Sequence, residues 1–96
     1  MISLSEIYSA IEAARENFPK SALNPAELAK ESKQSDQELS EDFKKLISAV
    51  ERFRAGIASK DIEEQEGALI HIRVHSMSVA SIFSNLADSI EELLSP

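Results

Sequence analysis

His71 and His75 stand one helical turn apart, and Glu64 lies two turns before His71. Histidines at i and i+4 on a helix can hold one zinc ion, and a carboxylate on the same face is a suitable third ligand. The stretch is not HExxH, because Ile72 follows His71, so no glutamate is placed as a general base beside such a metal. Surface or boundary histidines are the plainer reading, and no metal ligands are assigned. Asp61, Glu63, Glu64 and Glu66 cluster, as paired carboxylates for acid–base work would. They also sit where a helix should begin, and the dipole of a helix N-terminus attracts anions. There is no GxSxG elbow and no glycine-rich phosphate loop. With no cysteine, the chain has no thiol nucleophile, thiolate ligand or disulfide. No catalytic residue and no cofactor is expected.

The segment His75–Ser76–Met77–Ser78–Val79–Ala80 resembles the histidine motif of histidine-phosphotransfer domains, which are helical bundles of similar length. The resemblance implies His75 as phosphoacceptor. In that family a following lysine and a small glycine assist the transfer. Here Ser78 takes the lysine position and Val79 the glycine position, which removes both aids.

Composition narrows the fold class. The chain has 96 residues, enough for one domain. It is 43% hydrophobic but only 5% aromatic, with no tryptophan, so its core must rest on Leu, Ile, Val and Ala. Two glycines and three prolines are too few for the many turns of an all-β domain. The net charge of −7 disfavours nucleic acid and anionic membrane as partners. No apolar run is long enough to cross a bilayer, and the first residues lack the basic flank of a signal peptide. The absence of cysteine fits a reducing cytoplasm.

Start and stop signals place the helices. Ser3 and Glu6 have capping-box spacing, and Leu4, Ile7, Ile11, Ala14 and Phe18 recur at steps of three and four up to Pro19. Asn24–Pro25 opens a second, short helix. Lys30–Gln37 reads as a polar turn, and Ser35 with Glu38 as a third start. Leu39, Phe43, Leu46, Val50, Phe53 and Ile57 then form a heptad stripe ending at a Gly56 cap. Asp61 and Glu64 open the last helix, whose stripe is Ile62, Gln65, Leu69, Ile72, Ser76, Val79, Phe83, Leu86, Ile90 and Leu93. Serines between 76 and 81 are candidates for a kink.

The sequence therefore predicts a single all-α domain, a small antiparallel bundle with helices at about 3–18, 25–33, 36–55 and 61–94. The last helix outreaches its hairpin partner. Val79, Phe83, Leu86, Ile90, Leu93 and Leu94 would then overhang, and Ile70, Val74 and Met77 would lie on the opposite face. Soluble monomers rarely expose an apolar stripe of that size, so the N-terminal helix, a second copy of the chain or a foreign partner should cover it. The expected function is a non-catalytic protein–protein interaction module, homodimeric through the C-terminal helix. It would act as an adaptor, an assembly factor or a small stoichiometric inhibitor of the sort phages and plasmids encode. Metal binding by His71 and His75, and phosphotransfer at His75, are the alternatives.

Overall fold

The computed structural model describes residues 3–95, which are helical apart from short connections. Helix α1 spans Leu4–Ala14, a 3-10 turn follows at Arg15–Asn17, α2 spans Pro25–Ser59 and α3 spans Ile62–Leu94. The all-α class follows from the sequence, but one boundary does not. The two helices expected at 25–33 and 36–55 are one continuous helix of 35 residues. Lys30–Gln37 is polar, yet it contains only Lys, Glu, Gln, Ser and Asp, with no glycine or proline to stop a helix. The α2 and α3 helices are consequently matched, at 35 and 33 residues. The overhang expected from a short partner does not arise. No break is present at Ser76–Ser81, where the Ser81 hydroxyl bonds back to the Met77 carbonyl within α3.

The chain forms two compact units, residues 1–38 with 82–96, and residues 39–81. In the first, Leu4, Tyr8 and Ile11 of α1 are buried, as are Leu23, Leu28 of α2, and Ile82, Leu86 and Leu93 of α3. Burying one such side chain contributes roughly 1.5–3 kcal/mol. This unit is also closed by polar contacts between its elements. Asp36 accepts the Leu4 and Ser5 amides at 2.7 and 3.0 Å, and Ser3 accepts that of Glu6. The free donors of the α1 N-terminus are thereby satisfied from α2 as well as locally. These amides, first that of Ser5, hold the Asp36 carboxyl below its usual range. Asn24 caps the start of α2 through the Ala26 amide at 2.9 Å. At the far end of α3, Ser21 donates to the Glu92 carbonyl and the Ala22 amide to that of Ser95, which ties the 18–24 connector down.

Tyr8 is almost wholly enclosed in the first unit, close to the Glu31 carboxylate, to which Ser89 donates at 2.9 Å. Burial, and then the Glu31 charge, push the phenol up to about 12.

The second unit is a helical hairpin whose two-residue turn is Lys60–Asp61. Lys60 adopts the left-handed conformation, φ 57°. Its amide bonds the Ile57 carbonyl and the Asp61 amide bonds that of Gly56 at 2.9 Å. This is a Schellman ending, displaced by several residues from the cap expected at Gly56. Asp61 then caps α3 through the Glu64 amide.

Replacing Lys60 with glycine should raise the unfolding free energy by about 0.5–1 kcal/mol, read as a higher urea midpoint, because a Cβ is disfavoured at positive φ. An unchanged or lower midpoint would show that the turn is not left-handed. Tyr8 is the single tyrosine and there is no tryptophan, so its ionisation is readable by ultraviolet absorbance. In the folded protein the midpoint should lie near 12, above the value of about 10 in denaturant. Because the folded state keeps this proton longer, Tyr8 should erode stability as pH rises from about 10 to 12, and Tyr8→Phe should lack that part of the loss.

Candidate functional site

The hairpin of residues 39–81 is where the chain departs from ordinary packing. Its only fully buried hydrophobic side chains are Ala49 and Ala68. The seam on α2 runs through Leu39, Asp42, Leu46, Ala49, Phe53 and Gly56, all buried or half-buried. The seam on α3 runs through Gln65, Ala68, Ile72, His75 and Val79. Each advances by steps of three and four, as coiled-coil packing demands. Small residues allow the backbones to approach closely. A Cβ on Gly56 would come within 3.1 Å of Gln65 Cγ and 3.2 Å of its amide nitrogen. Gln65 in turn donates to the Gly56 carbonyl at 3.1 Å.

The two heptad stripes legible in the sequence are thus each only half used. Leu39, Leu46 and Phe53 of α2, and Gln65, Ile72 and Val79 of α3, lie on the seam. Phe43, Val50 and Ile57, with Ile62 and Leu69, are exposed, although the sequence reading places them on the same stripes. One residue of advance turns a helix by about 100°. Residues one step after the seam therefore share one side of the hairpin, and residues one step before it share the other.

The side before the seam is polar apart from Val74 at its outer margin. Arg52 lies across α3, its Nε donating to Glu64 Oε1 at 2.6 Å and its Nη1 3.2 Å from His71 Nδ1. Gly67 leaves room for it, since a Cβ there would meet Nη2 at 3.2 Å. The hydrogen bond from Arg52 holds Glu64 below the usual carboxylate range, and Glu64 raises Arg52. Lys44, Lys45, Ser48, Ala49, Arg52, His71 and His75 line a cleft of about 250 Å³.

The buried Asp42 carboxylate accepts from Ser78 at 2.6 Å and pairs with His75 Nδ1 at 3.3 Å. These contacts, first the Ser78 hydroxyl, lower its pKa. Ser78, Asp42 and His75 are the residue types of a nucleophilic triad in the wrong order. Activation needs the imidazole between hydroxyl and carboxylate, and here the carboxylate stands between the other two.

The same contacts bear on the two histidine-based alternatives. His71 Nδ1 faces the Arg52 guanidinium, a cation where a metal ion would sit. Among the described residues, no three His, Cys, Asp or Glu side chains are grouped to hold a metal. His75 is four-fifths covered and engaged with Asp42, and Ser78, at the family's lysine position, is bonded to the same carboxylate. Neither arrangement presents a free, assisted imidazole to a phosphodonor.

The structure divides the residues expected at an interface. Leu86 and Leu93 are corrected: both are core residues of the first unit, with α1 and the connector residue Leu23 also in that core. Val79 is half-buried on the hairpin seam. Phe83 and Ile90 are exposed in the first unit, and Ile70, Val74 and Met77 are exposed on the α3 side away from its seam, at 61%, 51% and 56%. Phe43, Ile47, Val50 and Ile57 of α2 were missed as surface residues. The clue was the run of Ala49 and Gly56 one step from Val50 and Ile57, which offers a second, tighter seam.

Comparison with known protein families, with characterised proteins and with solved structures finds no match for this chain. Among the described residues, no helix is long and apolar enough to cross a membrane.

Proposed function

We propose that the chain is a non-catalytic, cytoplasmic protein–protein interaction module that acts as an adaptor, an assembly factor or a small stoichiometric inhibitor. The observation that carries this reading is the apolar surface of the hairpin unit. Ile70, Val74 and Met77 project from α3 away from its own seam, each more than half exposed. They follow at steps of four and three, the register in which a helix face engages a groove or a second helix. Methionine at the end of that row suits an adaptable contact. Contiguous apolar patches of this kind mark interaction surfaces in soluble proteins. The polar groups favour binding over catalysis, because Arg52 and Asp42 are already engaged by Glu64, His71, Ser78 and His75. A cysteine-free chain suits the reducing cytoplasm.

A photo-crosslinking amino acid placed at Val74, in cells of the protein's own source, should yield a discrete adduct with another protein. The same group at exposed Lys30 of α2 should yield little. Adducts of equal yield at both positions, or none at Val74, would overturn this assignment of the surface.

A further inference from the structure

We infer that the hairpin face carrying Phe43, Ile47, Val50, Ile57, Ile62 and Leu69 is covered by the same face of a second copy of this chain. The inference rests on the reading of the chain as an interaction module but concerns a different surface from Ile70, Val74 and Met77. The polar contacts of Arg52 to Glu64 and His71 bring together the sides before the seam on both antiparallel helices. The sides after the seam therefore meet on the opposite face of the hairpin. Phe43, Ile47, Val50 and Ile57 lie there on α2, one step after Asp42, Leu46, Ala49 and Gly56. Leu69 lies there on α3, one step after Ala68, and Ile62 lies two turns earlier. All six are exposed, from 37% for Val50 to 62% for Ile62.

Three observations point to a second copy. The first is period. Phe43, Val50 and Ile57 repeat every seven residues, as do Ile62 and Leu69, so the face presents two parallel heptad rows. Such rows fit a partner made of two helices at a shallow crossing, and another hairpin of this chain is one. The second is area. The six side chains leave on the order of 500 Å² of apolar surface in water, and the stems of neighbouring Arg54, Glu66 and Arg73 extend it towards the roughly 800 Å² per partner of a standard interface. The third is charge. Residues 39–81 carry seven acidic and six basic side chains, a net −1, whereas the rest of the chain carries −6. The hairpin is the part of an acidic protein that can meet its own copy without strong repulsion.

A hairpin whose buried hydrophobic side chains are two alanines also needs cover whenever it is folded. A second copy supplies that cover in fixed proportion, and a two-fold pairing closes both faces at once.

The test is sedimentation equilibrium of the full chain. The wild type should show twice the monomer mass at micromolar concentration. The double substitution Val50→Glu with Leu69→Glu should raise the dissociation constant at least about 100-fold while helical circular dichroism persists. Ser48→Glu, on the polar side, should leave the dimer intact. Ile47→Lys gives a second reading should the double variant unfold, since Ile47 is 60% exposed and adds little to its own chain's packing; it should weaken the dimer at least about tenfold. A wild type that stays monomeric up to about 1 mM would overturn the second copy as occupant, while a foreign adduct at Val74 would still sustain the interaction module. A dimer indifferent to Ile47→Lys, and to the double substitution where that folds, would overturn the face.

Discussion

The close approach of α2 and α3 in the hairpin is the constraint on which the rest depends. Ala49 and Gly56 on one helix and Ala68 on the other are small enough to bring the backbones together, and the Gln65 amide donates to the Gly56 carbonyl at the tightest point. Such a seam gains contact between backbones but buries little hydrophobic side chain. It also fixes the rotation of both helices. Once Ala49 and Gly56 face inward, Val50 and Ile57 must turn about 100° away. The larger side chains are on the surface because the smaller ones won the interior.

The fixed rotation sorts the hairpin into sides of different chemistry. One side holds Arg52, Lys45 and His71, with Glu64 answering the guanidinium. The other holds the apolar rows. Buried polar groups on the seam are satisfied and specify the register, since Asp42 on α2 accepts from Ser78 on α3 and slippage by one residue would strand a buried carboxylate. The first unit solves its packing differently, with α1 supplying Leu4, Tyr8 and Ile11 to an internal core. The acidic charge is concentrated there. The proposed function follows from this division between a unit with its own core and a hairpin with open apolar faces.

Much of this was legible in the sequence. Ser3, Asn24 and Asp61 cap helices as their spacing indicates. The helical class followed from the scarcity of glycine and proline. The polar run at Lys30–Gln37 misled because its inward face is polar too: Glu31 and Asp36 point to partners on other elements that no local pattern reveals. The stripe of large apolar residues misled for a related reason. Hydrophobic periodicity gives the phase of a helix face, but two seams one residue apart share half their members, and periodicity cannot rank them. The winner was set by backbone distance, a property of the pair. Leu86 and Leu93, on the stripe expected to overhang, are covered within the first unit.

Whether the open face of the hairpin is sheltered in solution can be read directly, because the chain has no native cysteine. Single cysteines at Ile47 and Leu69 on the apolar side, and at Ser48 on the polar side, can be compared by their rates of thiol alkylation, which track exposure. The account predicts that the first two react about tenfold or more slowly than the third at concentrations where the chain is paired, and that the gap closes on dilution. Equal rates at all three positions at every concentration would contradict it.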